Sequence, residues 1–177
     1  MGLFDKFKKA TASAVPVFET VSVSPEPLVV YSPVSGRCIP ISEVPDPVFS
    51  GGMLGMGVGV WPEGEVVNSP ASGTVTVTTP TRHAIGIATD EGMEVLVHVG
   101  MDTVEMKGRG FSYLVSSGDK VKAGQPLLTF SRAAIKEEGH DDVVVCVVTN
   151  TDEYGSVEVL VTGDVDAGCP VVRVTEK

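Results

Sequence analysis

The chain has 177 residues, enough for one domain plus a tail or for two very small domains, and its 42% apolar content includes only 6% aromatics. A core must therefore be built from Val, Ile, Leu and Ala, a bias that favours strands. Thirteen Lys and Arg against 23 Asp and Glu leave a net charge of −10, which argues against a nucleic acid partner and for a basic protein partner.

Three cysteines, Cys38, Cys146 and Cys169, match no zinc or redox spacing and suit a reducing compartment. The run VVVCVV makes Cys146 a buried small hydrophobe. No apolar run has the length of a membrane span, and the N-terminus lacks a signal-peptide core, so a cytoplasmic location is expected. MGLFDK opens like a myristoylation site but carries Lys6 where Ser or Thr is required.

In chain order, residues 1–10 are expected to form a short amphipathic helix, with Leu3, Phe4 and Phe7 on one face and Lys6, Lys8 and Lys9 elsewhere. Such a basic helix can rest on an anionic membrane surface, at the inner face of the membrane. Residues 11–27, rich in Ser, Thr, Val and Pro, read as a flexible linker. From residue 28 to 177, short Val-rich runs alternate with Gly, Pro, Ser and Asp clusters every eight to twelve residues, roughly the spacing of an all-β antiparallel sandwich or barrel. The expected strands are LVVY, VGVW, GTVTVTT, HAIGIAT, MEVLVHVG, QPLLTF, DVVVCVVTN, SVEVLVTG and PVVRVTE. Short helical turns are expected only around Ser112 to Ser116 and Arg132 to Glu138. YSPVSGRCIPI (31–41) echoes NSPASGTVTVT (68–78), which suggests a duplicated β motif.

The most informative stretch is RHAIGIATDEGMEVLVHVG (82–100), two strand-like runs around a turn. A two- or four-residue loop makes paired residue numbers sum to 181, which sets His83 opposite His98, Ala84 opposite Val97 and Ile85 opposite Leu96. Cross-strand Cβ atoms lie about 5 Å apart, so the two imidazoles would sit side by side. A three-residue loop with a bulge at Gly92 would instead put them on opposite faces. Two adjacent imidazoles cannot both be charged cheaply, so at least one stays neutral with a nucleophilic nitrogen while the other can donate a hydrogen bond. That pair suits phosphoryl transfer; with a third ligand it equally suits zinc. His140, in an acidic loop, reads as solvated and without a role.

VHVGMDTVEMKGRGF resembles the signature of the glucose-family enzyme IIA (EIIA) domains of the bacterial phosphoenolpyruvate:sugar phosphotransferase system. SPVSGRCIPISEVPDPVFSGGMLGMGVGVWP, SPASGTV, TRHAIGIAT, GDKVKAGQPLLTF and the region from Val144 to Val159 resemble other blocks of that family, so the resemblance covers about residues 28–176. It implies a phosphotransferase component: phospho-HPr donates a phosphoryl group to a histidine, which passes it to a cysteine of the IIB domain of a membrane sugar transporter. Regulation of other proteins is a further role in some relatives. His98 matches the phosphorylated histidine, His83 the stabilising one, and Thr81 a threonine beside them. Asp46, Asp102 and Asp152 match positions that meet arginines of HPr or IIB. The hydrophobic rim around the histidines is expected to be Phe49, Met53, Leu54, Ile85, Leu96 and Val104. No organic cofactor or metal is implied. Family members commonly carry an aromatic near the first histidine, where this chain has Thr79 and Ile85.

Two other readings share parts of the pattern. HVGMD (98–102) fits the H-x-G-x-D string of lysostaphin-type zinc metallopeptidases, but no later H-x-H follows. GDKVKAGQPLL resembles lipoyl-type modules, but Met106-Lys107 is followed by Gly, Arg, Gly rather than a lysine-bearing hairpin.

Overall fold

The computed structural model describes residues 18–177. The expected helix at 1–10 and the first part of the linker, 11–17, lie outside them. Among the described residues, fourteen strands form three sheets in which every hydrogen-bonded pair is antiparallel. The largest has eight strands and runs β13 (Gly163–Val165), β2 (Gly36–Pro40), β3 (Met56–Pro62), β11 (Val144–Val148), β7 (Glu94–Val99), β6 (Ala84–Ala88), β5 (Gly73–Thr78), β9 (Lys120–Val121). Two three-stranded sheets complete the fold: β1 (Val29–Tyr31), β14 (Pro170–Thr175), β12 (Ser156–Val159), and β4 (Val66–Asn68), β10 (Pro126–Phe130), β8 (Phe111–Tyr113). Among the described residues no helix is long and apolar enough to cross a membrane.

The main core lies between these sheets. Val58, Val75, Ile85, Ile87, Val95 and Val97 of the large sheet pack in one cluster with Val30 and Val172 of one small sheet and Leu128 and Phe130 of the other. The large sheet is also covered on its other face. Ile41, Val44 and Phe49, from the segment after β2, close over Val143, Val145 and Val147 together with Met101. That double cover explains why β11 reads as an unbroken apolar run: its residues are buried on alternate sides, Val144, Cys146 and Val148 inward and Val145 and Val147 under the covering segment. Gly59 makes room for the cover, since a Cβ there would come within 2.7 Å of Val44 Cγ2.

The duplication is visible in reciprocal hydrogen bonds. Tyr31 N–H donates to Pro70 O at 2.9 Å, and Asn68 N–H to Pro33 O at 2.8 Å. Ser32 Oγ donates to Val34 O, and Ser69 Oγ to Ala71 O, each at 2.7 Å. Gly168 N–H meets Ser32 O and Gly124 N–H meets Ser69 O. The echo between 31–41 and 68–78 is thus two copies of one turn, locked against each other.

Some elements differ from expectation. Ser112 to Ser116 is not a helical turn: Phe111–Tyr113 is a strand, with Phe111 buried opposite Phe130 and Ser112 opposite Thr129. SVEVLVTG divides into β12 and β13, which belong to different sheets. A one-turn helix not anticipated, α1 (Pro47–Ser50), starts where Asp46 Oδ1 accepts from the N–H groups of Val48 (2.8 Å) and Phe49 (3.3 Å) and Pro47 fills the first helical position. The second short helix, α2 (Arg132–Glu137), lies where expected, capped by Ser131.

Of the expected linker, residues 18–27 lie on the domain. Val21 N–H donates to Gly124 O at 2.9 Å, Val23 packs on Val29, Tyr31 and Ala123, and Glu26 N–H donates to Tyr31 Oη at 2.8 Å. Gly124 and Gly168 permit this, because a Cβ on Gly124 would fall 2.1 Å from Val21 O and one on Gly168 2.7 Å from Val21 Cγ1.

Candidate functional site

Strand β7 places one imidazole by alternation. Val95, Val97 and Val99 point into the main core, so Glu94, Leu96 and His98 face the other side. There His98 lies between Val145 of β11 and Ala84 of β6 in register. The covering segment reaches it: the Phe49 ring, itself buried, lies 5.0 Å from the His98 ring, tilted by 58°. The sheet floor beside it is low, with Ala84 and Gly86 on β6.

The second imidazole arrives by a route the hairpin model did not foresee. The turn has three residues, Asp90 to Gly92, with Thr89 N–H donating to Met93 O at 2.9 Å and Gly92 at φ 92°. Paired numbers sum to 182, not 181: Ala84 opposes His98, Ile85 opposes Val97 and Gly86 opposes Leu96. In a straight strand this register would put His83 and His98 on opposite faces. His83, however, is not in the strand. Arg82 adopts a left-handed φ of 58°, which turns the chain just before β6, while His83 O still accepts from Val99 N–H at 2.8 Å. The turned backbone brings the His83 ring to the His98 ring, and the two meet edge-to-face, centroids 4.7 Å apart and 87° between planes. The imidazoles are adjacent as expected, but through a backbone bend rather than cross-strand pairing.

Their protonation follows from burial and from each other. Burial pushes the His98 pKa down, the neighbouring His83 pushes it further, and the Gly100 backbone and Asp46 carboxylate offset part of this, leaving it at about 4. Burial also lowers His83. Both rings are neutral at pH 7. His98 Nδ1 is buried with no well-formed hydrogen bond, which leaves Nε2 to face an incoming group. His83 Nδ1 is 2.7 Å from Thr81 Oγ1, so its Nε2 is likewise the free nitrogen.

The other expected residues divide into groups. Thr81 contacts His83 directly. Asp46 caps α1 and is close enough to act on the His98 charge. Asp102 is exposed at the start of the 3-10 turn Thr103–Met106, with φ 57° and no capping bond from its side chain. Asp152 is exposed in the turn Thr151–Glu153, whose Thr151 Oγ1 accepts from Met56 N–H. Val148 lies three residues beyond the partner of His98 on β11, so Asp152 sits at that strand's far end, roughly 10 Å along it. Met53 (78% exposed), Leu54 and Val104 are exposed apolar side chains, and Leu96 is half-buried two residues from His98 on its face. Two rim expectations are corrected. Ile85 is fully buried in the main core, because the one-residue change of register turns it inward. Phe49 is 5% exposed, a wall behind His98 rather than an open contact. Gly100, directly after β7, lets the chain close: a Cβ there would meet Thr103 Cγ2 at 2.4 Å. His140 is largely covered, its Nε2 3.8 Å from Glu105.

Sequence reasoning missed Tyr113, whose hydroxyl holds Thr79 and Ala84 at either end of the segment bearing His83, and the exposed Val48 and Met56. Tyr113 is 29 residues from Ala84 in sequence, and no local pattern links them. An aromatic does reach the first histidine's surroundings, from β8 rather than from its own strand.

Two neutral imidazoles in contact, one with an unencumbered nitrogen and one oriented by a hydroxyl, can accept a phosphoryl group and stabilise its oxygens. Zinc would need a third ligand, and among the described residues no three His, Cys, Asp or Glu side chains gather to hold a metal. The metallopeptidase reading is therefore set aside.

Comparisons with known proteins agree with the geometry. Residues 28–154 match the family described as phosphoenolpyruvate-dependent sugar phosphotransferase system, EIIA 1. A glucose-specific EIIA component from Staphylococcus aureus is 44% identical over 133 residues, 75% of this chain and 80% of that protein. A beta-glucoside-specific EIIBCA component from Bacillus subtilis is 46% identical over 127 residues, 71% of this chain and 21% of that longer protein. The solved structure of glucose permease IIA from Mycoplasma capricolum superposes with a TM-score of 0.73 at 31% identity, covering 86% of this chain and 98% of that one. The chain belongs to the EIIA 1 family of the phosphoenolpyruvate-dependent sugar phosphotransferase system, and is a phosphotransferase component that carries a phosphoryl group from HPr to IIB.

Proposed function

We propose that Nε2 of His98 takes the phosphoryl group and that His83, oriented by Thr81, stabilises it. The observation that carries this reading is the 4.7 Å edge-to-face contact between the two rings. With its one ring hydrogen on the buried Nδ1, toward the Gly100 backbone, a neutral His98 has its lone pair on Nε2 at physiological pH, so attack on the phosphorus of phospho-HPr needs no general base. The N–P bond forms at His98 as the N–P bond of the donor breaks. Nε2 of His83 is then positioned to donate to a phosphoryl oxygen. Little covalent chemistry is asked of the protein beyond placement and charge stabilisation.

The exposed apolar side chains Met53, Leu54, Val104, Val48 and Met56 supply contact area for HPr and IIB. Asp46, Asp102 and Asp152 supply charge that draws basic partners. Residues 2–10 supply weak contact with an anionic membrane on the cytoplasmic side, where both partners are met.

Incubation with phosphoenolpyruvate, enzyme I and HPr, followed by mass spectrometry, tests the assignment. One added phosphoryl group is expected, absent in His98→Ala. A phosphoryl group retained in His98→Ala would refute it.

A further inference from the structure

The phenol of Tyr113 belongs to a small sheet that contains neither histidine, yet it reaches the base of the β5–β6 hairpin. Its single hydrogen goes to the Ala84 carbonyl. The phenolic oxygen is then left to accept, from Thr79 N–H at 2.8 Å and from the Thr79 hydroxyl at 3.4 Å. Thr79 and Ala84 are the two ends of the arc that carries Thr81 and His83. The last ladder pair before the arc is Thr78 with Ile85, so Tyr113 bridges the place where the next pair would form. Inside the arc, Arg82 N–H closes a turn on Thr79 O at 3.0 Å, and Arg82 takes its left-handed φ of 58°. A non-glycine residue holds that conformation only where its surroundings enforce it. The bend matters, since it is what brings the His83 ring to His98.

The same hydroxyl anchors a chain of contacts. With Tyr113 as its acceptor, the Thr79 hydroxyl turns its oxygen toward Thr81 Oγ1 at 3.5 Å, and Thr81 Oγ1 in turn lies 2.7 Å from His83 Nδ1. The His83 ring is thereby tied through two threonines to the Tyr113 phenol.

We infer that Tyr113 is a positioning residue for phosphoryl transfer, holding the 79–84 arc and, through Thr79 and Thr81, fixing the His83 ring against His98. The inference rests on the roles proposed above for His98 and His83. In onward transfer a thiolate of the IIB cysteine attacks phosphorus, an S–P bond forms, the N–P bond at His98 breaks, and its electron pair returns to Nε2 of His98. No proton changes hands. The Nε2–H of His83 donates throughout to a phosphoryl oxygen while charge spreads over the three oxygens in the transition state.

The test is Tyr113→Phe in the full chain, with two readouts. The first is the ring ¹⁵N chemical shifts of His83. One set of shifts is expected in the parent, and shifts displaced from it in the variant, where the ring is no longer held. The second is the single-turnover rate of transfer from the phosphorylated protein to IIB, expected to fall about tenfold, the loss of roughly one hydrogen bond. Uptake at His98 from phospho-HPr is expected to survive. A variant that keeps the parent's transfer rate overturns the inference, as does one that slows while the His83 ring shifts stay those of the parent. Absence of phosphate on His98 in the parent would instead remove the underlying assignment, so the two failures are distinct.

Discussion

Protonating His98 is the perturbation that interrogates the site most simply. Its pKa is lowered from 6.5 to about 4, first by burial under Phe49 and beside Val145, then by His83. That gap corresponds to roughly 3 kcal/mol that the folded protein must give up to charge the ring in place. The sign follows from linkage. The unfolded chain binds this proton near pH 6.5 and the folded chain only near 4, so the unfolded state holds more protons between them. Stability is therefore complete above 6.5 and declines as pH falls toward 4. His98 also stays a neutral nucleophile across the whole physiological range. The assay is the Cε1–H resonance of each histidine followed by NMR from pH 3.5 to 8. The His98 signal is expected to be flat above about pH 5.5, with its midpoint near 4, and that of His83 to move below its ordinary midpoint. Phe49→Ala should expose the His98 ring and return its midpoint toward 6.5. A His98 midpoint at or above 6.5 in the parent protein would refute the claim that burial keeps this ring neutral.

Four further outcomes follow from the same geometry. His83→Ala should still accept one phosphoryl group from HPr but fail to pass it to IIB, as read by mass spectrometry before and after IIB is added; unimpaired onward transfer would remove His83 from the reaction. Asp46→Ala should cost about 1 kcal/mol in denaturant unfolding through the lost α1 cap, whereas Asp46→Asn keeps the cap and should lower only the salt-dependent association rate with HPr. Met53→Asp, at a side chain 78% exposed, should leave stability within about 0.5 kcal/mol while weakening HPr binding by calorimetry. Gly57→Ala should destabilise the fold by about 3 kcal/mol, since the added Cβ would fall 2.1 Å from Cys146 O across β3 and β11.

Much of the fold was legible because its signals are local. The valine runs, the turn residues between them and the 31–41 and 68–78 echo each translate directly into strands and paired turns. What escaped depends on contacts between distant segments. Asp46 followed by Pro47 is a helix start, but a single turn of helix has no apolar period to announce it. The 112–116 segment has its strand character from pairing with β10, which its own residues do not reveal. At the site, the presence of two neighbouring imidazoles was foreseen while their route was not. The hairpin took its three-residue loop, and Arg82, in a conformation that nothing in RHAIGIAT signals, turned the chain and restored the meeting of the rings. The same register change moved Ile85 from the expected rim to the core.

The nitrogen that carries the phosphorus is the most direct measurement. Protein labelled with ¹⁵N in its histidine rings, phosphorylated by phospho-HPr, should show ³¹P coupled to Nε2 of His98, because Nδ1 of that ring is buried against the turn after β7. Coupling to Nδ1, or to either nitrogen of His83, would contradict the arrangement of acceptor and stabiliser described above.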